Sequence, residues 1–224
     1  MRHWQAGRVT VDLEGFHAVK HALRFAPSLV RRTWATDPDA AQALCAQLAP
    51  DLLEVFRPGS ELVAHPTGVA GVADRPVEDR SVLTSRTAPL VVLDSPRHPG
   101  NAGAAIRVAA AAGASGVALL GDLDPWHPAV VRGSAGLHFA LPVLRCTVSE
   151  LSGPVWALDA DGEQLHDVPD DVALVVGSER VGVSPEIRGR ADRVVSLPMR
   201  PGVSSLNLAT ALSAALYTWR LASS

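Results

Sequence analysis

Two stretches of this 224-residue chain combine glycine, small polar residues and an isolated charge in ways that could build a reaction site. The first is DSPRHPGNAGAAIRVAAAAGA, starting at Asp94. Its Pro/Gly loop leads from the carboxyl end of an apolar run into a helix start, where open parallel sheets bind ligands. Loop amides and the first helical N–H groups favour anionic or polar groups there. Asn101 offers an amide at that point, and Arg107 follows on an otherwise alanine-rich helix. On a helix taken alone, Arg107 reads most simply as a solvent-exposed side chain. The second stretch is LVVGSERVGVSPEIRGRADRVVSLPMRPGVSSLNLATA, starting at Leu174. It holds a Gly-rich turn with Glu179, a strand ending in LPM, and a loop into a helix that opens with Ser205 and Asn207. Two strand-end loops of this kind could pinch a cofactor between backbone amides and carbonyls. Taken singly, the three polar residues suit a solvated turn acid and ordinary helix capping.

Other chemistries find less support. Gly100 and Gly103, with Asp122 further on, loosely match a dinucleotide fingerprint, but the spacing is GxxG rather than GxGxxG. No GK pair marks a phosphate loop either. The eight histidines have no ligand spacing, and Cys45 and Cys146 lie far apart. The sequence therefore points to no metal, and to no disulfide framework.

The elements that must position these residues read as alternating strands and helices. EGFHAVKHALRFA is helical by the period of Phe16, Val19 and Leu23, with Phe25 as a further candidate for the apolar side. RRTWATD reads as a strand, DAAQALCAQLA as a helix capped by Asp37 or Asp39, and LLEVF as a strand. Arg75 to Pro89 is polar, charged and bounded by prolines, so residues 76–89 are the expected linker between units at 1–75 and 90–224. Beyond it, LVVLD, GVALLGD, PVWALDA, DVALVVGS and RVVSLPM alternate with helices, the last of them opening on a serine cap. Continuous apolar runs of this kind suit buried parallel strands, and the alternation predicts an α/β domain with a mostly parallel sheet.

At 47% hydrophobic and 19% charged, the chain can build a core. Its most apolar stretch, VAAAAGASGVALL, is too short and too glycine-broken to span a bilayer. The N-terminus has no apolar signal region, so a reduced, cytoplasmic protein without membrane contact is expected. The net charge of −3 does not advertise nucleic acid. Locally the picture differs. His17, Lys20, His21 and Arg24 share one helix face, with Arg31 and Arg32 close behind. Such a stripe is an ordinary solvated face or a track for phosphates. A second basic group, Arg180, Arg188, Arg190, Arg193 and Arg200, surrounds the second motif stretch.

PRHPGNAGAAIRVAAAAGA, RGSAGLHFALPV, VVGSERVGVSPEI and LPMRPGVSSLNLATA, in that order over about residues 89–222, resemble the successive motifs of SpoU/TrmH-type methyltransferases of the SPOUT superfamily. The resemblance implies transfer of a methyl group from S-adenosylmethionine to a ribose 2′-hydroxyl of structured RNA, tRNA or rRNA. It further implies a C-terminal trefoil knot, a small α/β/α RNA-binding domain in front, and a homodimer whose active site draws on both subunits. By position, the family's catalytic set falls on Asn101, Arg107, Glu179, Ser205 and Asn207. Its largely backbone cofactor pocket falls on Leu120, Gly121, Val176, Gly177, Leu197, Pro198, Met199, Ser205 and Leu206. RNA contact is expected at Lys20, Arg24, Arg31, Arg32, Arg180, Arg188 and Arg200. Two alternatives remain at this level: an RNA-binding protein that kept the fold without catalysis, and a methyltransferase of the same superfamily acting on bases.

Overall fold

The computed structural model describes residues 9–178 and 181–223. The chain divides into two compact units, Met1–Val77 and Glu78–Ser224. In the first, β1 (Thr10–Glu14), α1 (Phe16–Phe25), β2 (Val30–Ala35), α2 (Pro38–Leu48), β3 (Gly59–Ser60) and β4 (Val69–Asp74) build a sheet of order β1-β4-β2-β3 with its helices. Period-2 alternation buries Val11 and Leu13 of β1, and the period of α1 buries Phe16, Val19, Ala22 and Leu23, whereas Phe25, the last residue of the helix, stays about half exposed. Asp37 caps α2, its Oδ1 accepting the N–H groups of Asp39 and Ala40 at 3.0 Å.

LLEVF is not a strand. Pro50–Leu52 is a 3-10 turn, and the Phe56 N–H closes a helical turn on the Leu52 carbonyl at 2.8 Å. That turn buries Leu52 and Phe56 together, with Phe56 edge-on to Phe16 at 5.7 Å. In so short an apolar run, burial at i and i+4 prevailed over strand propensity.

Among its described residues the second unit holds six parallel strands: β5 (Leu90–Leu93), β6 (Gly116–Leu119), β7 (Val143–Arg145), β8 (Val155–Gln164), β9 (Ala173–Val176) and β10 (Arg193–Ser196). Their order is β10-β8-β9-β5-β6-β7, and every ladder is parallel. The helices are α3 (Pro99–Ala112), α4 (Pro128–Gly133), α5 (Pro185–Arg190) and α6 (Leu208–Ala222). All four residues of β5, β6 and β9 are buried, because both sheet faces are covered. Val91, Leu93, Leu174 and Val176 point into one cluster with Ile106 of α3 and Leu212, Leu216 and Trp219 of α6. Leu90, Val92, Ala173 and Val175 point into the other, with Ile187 of α5. Within the stretch expected as linker, Arg80–Leu83 forms a 3-10 turn whose Val82 and Leu83 join that second cluster. Among the described residues no helix is long and apolar enough to cross a membrane.

The glycines of the loose dinucleotide pattern serve helix packing. A Cβ on Gly103 would lie 2.5 Å from the Val130 carbonyl oxygen and 2.7 Å from Gly133 Cα. The α3 and α4 backbones therefore meet directly, with no space left for a pyrophosphate at Gly103.

Candidate functional site

The site begins with an irregularity in β8. Its ladder with β10 jumps from Val194 opposite Ala157 to Val195 opposite Glu163, so residues 158–162 have no partner in β10, while Leu158 still pairs with Val176 of β9. Gly162 permits the return, since a Cβ there would lie 2.6 Å from the Val195 carbonyl carbon. The detour brings Leu158, Asp159 and Ala160 out as one wall of a cavity of about 380 Å³ at the carboxyl ends of β8, β9 and β10. Six of the expected cofactor residues line it: Val176, Gly177, Leu197, Met199, Ser205 and Leu206. Leu197–Met199 is loop rather than the end of a strand, because β10 stops at Ser196. Pro198 lines an adjoining cleft. Leu120 and Gly121 line neither; Leu120 is buried, and Gly121 (φ 84°) lies against Ser95, itself left-handed at φ 52°.

The wall after β9 is a tight hairpin. Ser178 and Gly182 exchange two backbone hydrogen bonds, of 3.0 and 2.9 Å. The hairpin closes onto Gly177, where a Cβ would lie 2.1 Å from the Gly182 carbonyl carbon. Glu179 and Arg180, at its tip in sequence, lie outside the described residues. Two carboxylates fasten its exit. Buried Asp94, at the end of β5, accepts the Ser184 N–H at 2.6 Å. Asp159 accepts the N–H groups of Ala160 (2.7 Å) and Val183 (3.4 Å) and pairs with Arg188 at 2.7 Å. Arg188 also donates to Asp161 at 2.8 Å, which raises its own pKa and holds the Asp161 carboxyl below the usual range. Asp159 was not among the expected site residues. Its position follows from the β8 register jump, which carries no pattern in the sequence.

Asn101 and Asn207 meet. The Asn207 Oδ1 caps α6 by accepting from Ala209 (3.0 Å) and Thr210 (3.4 Å), leaving its Nδ2 to donate to Asn101 Oδ1 at 3.2 Å. The helix therefore opens on an asparagine cap at Leu208, not on a serine; Ser205 is exposed in the loop before it and faces the cavity. Arg107 is exposed on α3, and no residue of α3 lines the cavity. Among the described residues no hydrogen bond or ion pair holds its guanidinium.

The expected RNA-contact residues are mostly engaged with acids. Arg24 makes two bonds to Asp51, Arg31 pairs with Asp74 at 2.5 Å, and Arg32 pairs with Glu61 at 2.5 Å while stacking on Trp34 at 5.2 Å. Lys20 also has a partner. Arg200 is exposed beside Pro198 in the adjoining cleft.

Comparison with known proteins gives the frame for this geometry. The chain is 35% identical to the 23S rRNA (uridine(2479)-2'-O)-methyltransferase of Streptomyces viridochromogenes over 76% of its own length and 64% of that protein's. It is 29% identical to the 23S rRNA (guanosine(2553)-2'-O)-methyltransferase RlmP of Bacillus subtilis over 94% and 88%. The matches to the first of these relatives and to a Streptomyces laurentii methyltransferase span less than two thirds of those proteins' lengths. Among solved structures, the SpoU methyltransferase AviRb from Streptomyces viridochromogenes, in complex with the cofactor AdoMet, superposes with a TM-score of 0.78 at 26% identity, covering 96% of this chain and 90% of that one. The model of the SpoU rRNA Methylase family matches residues 88–217, more than half of the sequence and the whole of the site described above. The chain belongs to the SpoU rRNA Methylase family.

Proposed function

We propose that this protein transfers a methyl group from S-adenosylmethionine to a ribose 2′-hydroxyl of structured RNA, tRNA or rRNA. The observation that carries the reading is the joining of a loop-lined cavity to the Asn101–Asn207 pair through the single stretch Ser204–Leu208. The cavity suits the cofactor. Its volume of about 380 Å³ falls in the ~300–1,000 Å³ range of small-molecule sites. Leu158, Val176, Leu197, Met199 and Leu206 would hold the apolar parts of the cofactor, and loop amides and carbonyls would be available to its polar groups. Bound there, S-adenosylmethionine supplies a sulfonium methyl as electrophile.

The chain's own residues do the rest by positioning, which supplies ~7–11 kcal/mol in reactions of this kind. Asn207, its amide oriented by capping α6, fixes Asn101, and the pair orients the ribose. Arg107 holds the neighbouring phosphate and the negative charge that develops on the attacking oxygen. A guanidinium has no acceptor and stays protonated at neutral pH, so electrostatic stabilisation rather than proton abstraction is its role. Because Arg107 does not line its own chain's cavity, it serves the cavity of a second copy in this reading, and the enzyme is a homodimer. Glu179 and Ser205 hold the two loops against the bound cofactor. In this reading the trefoil knot of the family forms where residues 197–207 run from β10 at the sheet edge to α6, which packs on α3. The unit ending at Val77 recognises the RNA, and the unit from Glu78 onward carries the catalytic apparatus. Free thiols at Cys45 and Cys146 suit a reducing cytoplasm.

Calorimetric titration with S-adenosylmethionine tests the reading. Micromolar binding, retained in Arg107→Ala, is expected; no binding to the intact chain contradicts it.

A further inference from the structure

The arginines of the second unit sort sharply by what holds them. Arg80 pairs with Glu78 and Glu150, Arg86 donates to the carbonyls of Asp171 and Ser152, and Arg145 donates to the Gly121 carbonyl. Arg188 bridges Asp159 and Asp161, Arg190 holds Asp192 and the Gly153 carbonyl, and Arg193 holds Glu163 over the Trp156 ring. Arg132 and Arg220 are engaged as well. Among the described residues, Arg97, Arg107 and Arg200 alone have no hydrogen-bonded or ionic partner for their guanidinium. An arginine left unpaired by a surface that satisfies its neighbours is the one available to an incoming anion at no cost in broken ion pairs.

Arg200 stands in a built setting. It lines a cleft of about 520 Å³ with Gln164, Ser196, Pro198, Val203 and Ser204. Ala160, Leu197, Met199 and Ser204 line both this cleft and the cofactor cavity, so the 197–204 loop is their common wall. The nearby acids are neutralised: Glu163 by Arg193 at 2.6 Å, and Asp161 by Arg188 at 2.8 Å. What remains is one guanidinium fork for a phosphate, an exposed amide at Gln164 able to donate and accept at a base edge, and Pro198 and half-exposed Val203 as apolar contact for a base face.

We infer that this cleft is a subsite for a nucleotide of the RNA strand that flanks the methylated one, with Arg200 gripping its phosphate. The inference rests on the RNA-methylation reading and adds to it a contact outside the reacting atoms. Removal of such a contact weakens ground state and transition state alike, which raises KM and leaves kcat in place.

The test uses the full chain, Arg200→Gln and, as an ion-paired control, Arg80→Gln. Methyl incorporation is measured while total RNA is titrated. In parallel, binding of a fluorescein-labelled single-stranded RNA 12-mer is followed across a potassium chloride series. Arg200→Gln should raise the apparent KM for RNA by about five- to tenfold with kcat changed less than about twofold. It should lower the magnitude of the salt slope for the 12-mer by ~0.7, the share of one phosphate contact on a single strand, and leave S-adenosylmethionine affinity unchanged. Arg80→Gln should match the wild type throughout. Equal KM and equal salt slope in the two variants overturn the subsite. If the wild type transfers no methyl group, the methylation reading falls, and the 12-mer salt slope still decides whether Arg200 contacts phosphate.

Discussion

Asn207 performs two tasks with one side chain, and they can be separated. Its Oδ1 caps α6 and its Nδ2 donates to Asn101. Aspartate caps helices as well as asparagine does but cannot donate. Asn207→Asp should therefore keep the melting temperature near wild type while methyl transfer falls by ~10-fold or more. Asn207→Ala should lose ~1 kcal/mol of stability as well. Thermal melts and transfer rates on the two variants check this, and an aspartate variant of full activity removes Asn207's donor from the account. The pair was legible in the sequence as two motif asparagines. Its orientation was not, because amide direction is settled by the capping bonds at the α6 start.

At the scale of elements, two glycines do different work. Gly103 lets α3 and α4 touch, so Gly103→Ala must push backbones apart and should cost ~1–3 kcal/mol. Gly177 closes the Ser178–Gly182 hairpin at the cavity wall, so Gly177→Ala should open that wall. Its larger effect should be on S-adenosylmethionine affinity, by calorimetry, and its smaller one on the urea midpoint. The reverse ranking contradicts the assignment of the hairpin to the pocket. The strands buried on both faces were plain as apolar runs: LVVL, GVAL and ALVV need nothing but their own composition. The β8 detour was not, since it exists only through its register with β10, and the placement of Asp159 depends on it. LLEVF misled for a related reason, a five-residue apolar run being compatible with either a strand or one buried helical turn.

For the molecule as a whole, carboxylate–arginine pairs set the pH response. Contact with Arg188, Arg193 and Arg24 holds Asp161, Glu163 and Asp51 below their usual range, and N–H bonds from Thr147 and Val155 do the same for Glu150 and Asp192. A folded pKa below the unfolded one contributes stability that is present above ~4 and is lost as pH falls through the folded value. The urea midpoint should thus stay level above about pH 5 and decline below ~4, and a midpoint that rises on acidification contradicts these pairs. The proposed dimer has its own signature. Arg107→Ala and a cofactor-pocket variant, each inactive alone, should regain roughly a quarter of wild-type activity when mixed through unfolding and reassembly, because one heterodimer site is then whole. No recovery would place Arg107 at its own chain's cavity. The most direct measurement of the central claim is transfer of isotope-labelled methyl from S-adenosylmethionine into total RNA, separated into tRNA and rRNA and digested to nucleosides, with Arg107→Ala alongside. Label in a 2′-O-methylnucleoside, lost in Arg107→Ala, is the result expected here. Label on a base, or no label in either RNA fraction, would contradict it.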